Sequence, residues 1–83
     1  MFWVYVIYSQ KYNKIYIGFT SDLEKRIQSH NMLATKGWTI RYRPWEVIHT
    51  EIFDTKSLAM NREKQLKTGK GREFIRELIQ NRG

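Results

Sequence analysis

The amino-terminal run constrains the fold most. Residues 2–8 read Phe-Trp-Val-Tyr-Val-Ile-Tyr, all of them β-branched or aromatic. Such side chains lose rotamer freedom in a helix and pack well on a pleated surface, so the run predicts a strand buried on both faces. Residues 9–13, Ser-Gln-Lys-Tyr-Asn, have turn chemistry, and residues 14–18, Lys-Ile-Tyr-Ile-Gly, alternate as a second strand. Two strands joined by a short polar loop make a hairpin. Pairing Tyr8 with Asn13 leaves residues 9–12 as the loop and sets Tyr5 opposite Tyr16, two phenols side by side on one face. A slip of one residue would send them to opposite faces.

Helical signals follow. Ser21-Asp22-Leu23-Glu24 reads as a capping box with Ser21 at the N-cap. It opens a helix to about His30 with Leu23 and Ile27 as its apolar stripe, and Asp22 complements the helix dipole. Residues 32–45, with Gly37, Pro44 and Arg41-Tyr42-Arg43, read as a basic loop, and residues 46–53 as a third strand. A helix over 55–67 is capped by Asp54 or Thr55 and ended by Gly69. Gly71 precedes another over about 72–81, with Phe74, Ile75, Leu78 and Ile79 as its stripe. The order β-β-α-β-α-α predicts an α/β (α+β) fold, a small three-stranded, largely antiparallel sheet flanked by helices.

With 83 residues the chain has room for one core, so residues 1–83 are expected to form a single domain. Three Trp, five Tyr and four Phe supply apolar area that a chain this short otherwise lacks. The absence of Cys excludes disulfides, thiolate-bound zinc and a thiol nucleophile, and suits the cytoplasm. The first apolar run ends at Tyr8, too short for a signal peptide or a membrane span. A net charge of +7 favours a polyanionic partner, nucleic acid before an anionic membrane.

Five side chains carry candidate chemistry, each with a plainer alternative. Ala59, Glu63 and Leu66 lie on one helix face, which puts a carboxylate beside an apolar stripe. Glu63 is therefore either paired, with Lys67 one turn on, or a divalent-metal ligand in a shallow cleft. Arg26 and His30, four apart, form either a solvated face or a phosphate clamp with a proton carrier. Tyr5 and Tyr16 are either packing partners or phenols acting on water, with a pKa lowered by nearby cations. Gly18 serves either a turn with positive φ or the close approach of a phosphate. There is no phosphate-binding loop, H-E-x-x-H or nucleophile elbow.

In order, these residues resemble the GIY-YIG nuclease family. Tyr16-Ile17-Gly18 matches YIG, and Val4-Tyr5-Val6 stands where GIY would, keeping only the Tyr. Arg26 and His30 fit its Arg-x-x-x-His pattern, and residues 58–67 resemble the helix carrying its metal-binding Glu. The likeness runs from about residue 2 to 80, and among relatives suggests the amino-terminal nuclease domain of the excinuclease that incises DNA in nucleotide-excision repair. It implies a metal-dependent endonuclease that hydrolyses DNA phosphodiester bonds, structure-specific, in repair or recombination.

By that resemblance Tyr5 is the general base or a water-positioning phenol, and Tyr16 assists it. Arg26 stabilises transition-state charge, His30 bonds the phosphate or shares the proton, and Glu63 holds one Mg²⁺ or Mn²⁺. Lys36, Arg41, Arg43, Lys64, Lys67, Lys70 and Arg72 are the candidate DNA-binding cations. Family members usually carry a separate DNA-binding domain or a partner protein, so a protein partner supplying specificity is expected of a monomer or weak dimer. The rival reading is a catalytically idle nucleic-acid-binding module on the same fold.

Overall fold

A computed structural model describes residues 1–82. Strands β1 (Phe2–Ser9) and β2 (Lys14–Thr20) form the hairpin, and β3 (Glu46–Phe53) pairs antiparallel with the other side of β1. The strand order is β2-β1-β3, so the most apolar strand is the central one. Val4, Tyr5, Val6 and Ile7 are at most 1% exposed, as the unbroken β-branched and aromatic run requires. A bulge in β3 leaves Ile48 without a partner between His49↔Val6 and Val47↔Ile7.

The hairpin register differs from expectation by two residues. Ser9 pairs with Lys14, the loop is residues 10–13, and Asn13 closes it at φ 53°. Tyr5 therefore faces Gly18, and Tyr16 faces Ile7. A two-residue shift preserves parity, so both phenols stay on one face, now diagonal to each other.

Each face of the sheet is covered. Helices α2 (Lys56–Leu66) and α3 (Gly69–Gln80) set Ala59, Leu66 and Ile75 against Val4, Val6 and Ile17. On the other face Tyr5 and Ile7 pack with Trp45, Leu23, Ile27, Tyr42 and Tyr16. There α1 (Leu23–Gln28) continues into a π-helical turn, Ser29–Leu33, followed by a 3-10 turn, Trp38–Tyr42. The Arg43–Pro44 peptide is cis.

Three helix starts correct or refine the expected ones. Asp22, not Ser21, caps α1, its Oδ1 accepting from Lys25 N at 3.1 Å. Thr20 Oγ1 accepts from Asp22 N and so favours the cap one residue further along. Thr55 caps α2. Thr68 caps α3, which begins three residues before the expected start and takes Gly69 and Gly71 into its first turn. At Gly71 a Cβ would lie 2.4 Å from the Leu66 Cα, so only glycine lets α3 start against the end of α2. No helix among the described residues is long and apolar enough to cross a membrane.

Candidate active site

The site begins at the Tyr5–Gly18 pair. A Cβ on Gly18 would sit 2.5 Å from Tyr5 Oη, so the missing side chain is the space that the phenol occupies. Gly18 lies within β2 without a positive φ, which corrects the expected turn, and it lines the concavity described below. The Tyr5 ring leans across this gap, 6.2 Å from the Tyr16 ring.

Behind Tyr5 lies His30. Tyr5 Oη and His30 Nε2 are 2.9 Å apart, and His30 Nδ1 is 3.0 Å from Thr39 Oγ1. With Nδ1–H donating to Thr39, Nε2 accepts the Tyr5 hydroxyl proton. Burial, aided by the charges of Arg26 and Arg43, holds the His30 imidazole below its ordinary pKa, which keeps it neutral. Burial pushes the Tyr5 phenol well above its usual range; Tyr16 and Glu63 add to the rise against an opposing pull from Arg26. The expectation of a lowered phenol pKa is thus corrected, because desolvation outweighs the single nearby guanidinium. His30 is also not a direct phosphate donor, since both ring nitrogens are engaged inside the protein.

Arg26 is exposed, and among the described residues no acceptor or carboxylate engages its guanidinium. The π-helical turn just beyond it widens the helix by a residue and turns the His30 ring inward, so Arg26 and His30 part company despite their spacing. Arg43 holds that turn. Its guanidinium donates to the carbonyls of Ser29 and Ala34, at 3.0 and 2.8 Å, and to that of His30. It is a structural clamp and not the free DNA-binding cation expected of the basic loop. Asn31 adds a second clamp on the backbone of Trp45, donating to its O at 2.9 Å and accepting from its N at 2.7 Å.

Glu63 arrives from the other side of the sheet. Helix α2 covers the face opposite the phenols, yet its carboxylate reaches the same concavity around the edge of β2. That concavity, about 550 Å³, is lined by Tyr5, Tyr16, Gly18, Arg26, Lys56 and Glu63 among others. Four of the five candidate catalytic side chains thus share one surface, and the fifth, His30, stands directly behind the Tyr5 hydroxyl. Sequence reasoning missed Lys56, which lies two turns before Glu63 on α2, and Thr39, which had no signal of its own.

The Glu63 side chain is 18% exposed, and its cation is Lys67 Nζ at 3.7 Å, itself 51% exposed. No arginine pairs with it among the described residues. The plainer alternative, a pair with Lys67 one turn on, is thus present, but long and to an exposed partner, and a mostly buried carboxylate held so loosely also suits a hard divalent ion, which commonly takes one or two carboxylates together with substrate phosphates and water. Among the described residues no group of three or more His, Asp or Glu gathers to hold a metal without substrate.

The remaining cations divide. Lys67 and Arg72 line a smaller hollow, about 230 Å³, with Tyr16, Ile15, Ile17 and Ile75. Lys36, Arg41, Lys64 and Lys70 are exposed and lie outside the lining of the Tyr5–Glu63 concavity.

A phenol bonded to a neutral imidazole, an unpaired guanidinium and a carboxylate stand together at one edge of a basic three-stranded α/β domain, a set able to engage a phosphate. A family model of the GIY-YIG catalytic domain matches residues 1–75, and the chain belongs to the GIY-YIG family, whose domains are generally nucleases that bind DNA. It is 38% identical over 66 residues to a UPF0213 protein of Staphylococcus saprophyticus, covering 80% of this chain and 79% of that one. A UPF0213 protein of Bacillus velezensis is 40% identical over 68 residues, 78% of this chain and 69% of the relative. The solution structure of the UPF0213 protein BH0048 from Bacillus halodurans superimposes with a TM-score of 0.55 at 26% identity, covering 94% of this chain and 85% of that one.

Proposed function

We propose that this protein is a divalent-metal-dependent endonuclease that hydrolyses DNA phosphodiester bonds, with a structure-specific role in repair or recombination. The observation that carries the reading is the Tyr5 Oη–His30 Nε2 contact of 2.9 Å, opening onto a concavity that also holds Arg26 and Glu63.

The chain's own groups divide the work. Neither Tyr5 nor His30 is charged at rest, given the direction of both shifts. The hydroxyl therefore acts as a conduit. As water attacks phosphorus, Tyr5 Oη accepts the water proton while its own proton passes to His30 Nε2, so the phenol is neutral before and after. In this path His30 Nδ1–H donates to the Thr39 hydroxyl, which leaves Nε2 as the acceptor. Tyr16 bounds the phosphate's other side. Arg26, with no internal partner to desert, stabilises charge that grows on the phosphoryl oxygens, worth about 3 kcal/mol by analogy with one oxyanion donor. The bond to the 3′-oxygen breaks, that oxygen takes a proton from solvent, and His30 gives its extra proton back to solvent, which restores the resting site. Glu63 would hold one Mg²⁺ or Mn²⁺, which when bound polarises the phosphoryl oxygen and offsets charge on the leaving oxygen.

The test is a panel of end-labelled single-stranded, duplex, flap and junction DNAs, incubated with purified protein in Mg²⁺, Mn²⁺ or EDTA. Cleavage with metal and none in EDTA is expected. Binding without cleavage of any member would leave the idle binding module as the better account.

A further inference from the structure

We propose that Trp38, with Tyr42 and Tyr12, forms a stacking platform for an unpaired base, so that the preferred DNA is a strand with unpaired nucleotides beside the phosphate in the Tyr5–Glu63 concavity. The inference rests on the nuclease reading and names its substrate class.

The rings form a continuous series leading out from the site. Tyr5 and Tyr16 are 6.2 Å apart between ring centres, and Trp38 lies 6.5 Å beyond Tyr16 at an interplanar angle of 30°. Trp38 and Tyr42 open and close the same 3-10 turn, which brings their rings to 4.7 Å. Tyr12, at the hairpin tip, meets Tyr42 edge-on at 5.6 Å. Trp38 is 46% exposed and Tyr12 42%. A single exposed aromatic ring is ordinary, but a run of them continuous with a catalytic concavity marks a contact surface.

The surface around the rings selects its occupant. Lys14 Nζ stands 5.4 Å from the Tyr42 ring centre, and Lys11 Nζ 5.4 Å from that of Tyr12. Lys36 and Arg41, both exposed, flank Trp38 in the chain. Aromatic faces among cations match a base and its phosphates, not an apolar peptide. A paired base inside a duplex already has both faces stacked, so only an unpaired one can lie on Trp38. Trp38 is backed by an anchored ring. Trp45 packs 5.9 Å from Trp38, donates its indole N–H to Thr39 O at 2.8 Å, and is clasped by Asn31. Little ordering then remains to be done when a base binds.

The experiment uses the full chain in EDTA, at one fixed salt concentration, with fluorescein-labelled oligothymidylate, an abasic oligomer of equal length and a duplex hairpin. Anisotropy should show the wild type binding oligothymidylate several-fold tighter than the abasic oligomer. Trp38→Leu should weaken oligothymidylate binding about 5- to 150-fold, the range set by loss of one base–aromatic stack, and leave the other two ligands unchanged. Trp38→Phe should recover most of the loss. Tyr12→Ala, at an exposed loop tip, should show a smaller loss confined to oligothymidylate even if Trp38→Leu folds poorly. Equal wild-type affinity for thymidylate and abasic strands overturns the platform, as does an equal loss on all three ligands. If the base preference is present but no DNA is cut in Mg²⁺ or Mn²⁺, the platform stands and the nuclease reading fails. Cleavage without base preference reverses that outcome.

Discussion

Tyr5→Phe removes one oxygen and tests the proton path most sharply. The lost hydroxyl bonds His30 Nε2 at 2.9 Å, and His30 is 7% exposed, so the ring nitrogen has no water to turn to. Stranding a buried polar atom costs about 1–3 kcal/mol. For a chain of this size that is a fall in Tm of about 4–8 °C per kcal/mol, or about 8–16 °C at the middle of the range. The packing of the ring is kept, so the variant should still fold. The chemical consequence is larger: cleavage should drop by about 10²–10⁴, the contribution of a positioned proton-transfer group. Its pH signature is also specific. Protonated His30 cannot accept, and burial holds its pKa below the ordinary imidazole value, so the wild-type rate should hold through about pH 6.5 and fall only at lower pH. It should not gain a step near pH 10, because the buried phenol stays neutral there. Single-turnover cleavage across pH, with thermal melts of both proteins, reads all of this. A folded Tyr5→Phe variant that cuts within about threefold of wild type would refute the conduit.

Gly18→Ala should displace the Tyr5 phenol, because the added Cβ falls 2.5 Å from its oxygen; a loss of about 1–3 kcal/mol in urea unfolding and a matching collapse of cleavage are expected. Gly71→Ala should destabilise without touching the site, since its Cβ meets the backbone of Leu66 at 2.4 Å, and the residual folded protein should cut normally. Glu51 offers a pH test away from the site. Burial raises its carboxyl, but hydrogen bonds from His49 and Arg62 and their charges outweigh that, leaving its pKa below 4.5. The ionised form is the one the fold favours, so its contribution is present above the unfolded pKa and lost as pH falls through the folded one. The stability advantage of wild type over Glu51→Gln should be full at pH 7 and shrink in melts below about pH 4.5.

The strands and their succession along the chain were legible because β-branched and aromatic runs mark strands whatever surrounds them, and Glu46–Phe53 matches its expected bounds, whereas the pairing of β3 with β1 was not read. Tyr5 and Tyr16 are expected to share a face from the alternation alone, and they do, although their pairing is shifted by two residues. Alternation fixes parity, while the turn at Asn13 fixes register, and only the first is written in the pattern. The cap of α1 was misplaced because Ser21 and Asp22 are both good capping residues; the Thr20 hydroxyl, bonded to Asp22 N, decides between them. His30 read as a surface residue because a 3.6-residue period cannot anticipate the π-helical turn that buries it. Arg43 read as a free cation because nothing in a sequence shows which carbonyls a turn will leave open.

In the proposed mechanism Glu63 serves the chemistry and not the fold or the grip on DNA. Single-turnover cleavage by Glu63→Ala in Mg²⁺, set beside its DNA affinity in EDTA, tests it most directly. Removing the carboxylate relieves repulsion from phosphate and releases Lys67, now 3.7 Å away, so metal-free affinity should hold or tighten. Arg26→Ala, which removes attraction, should weaken the same binding. Cleavage by Glu63→Ala should be abolished while its binding survives. Cleavage at the wild-type rate in that variant would contradict the account.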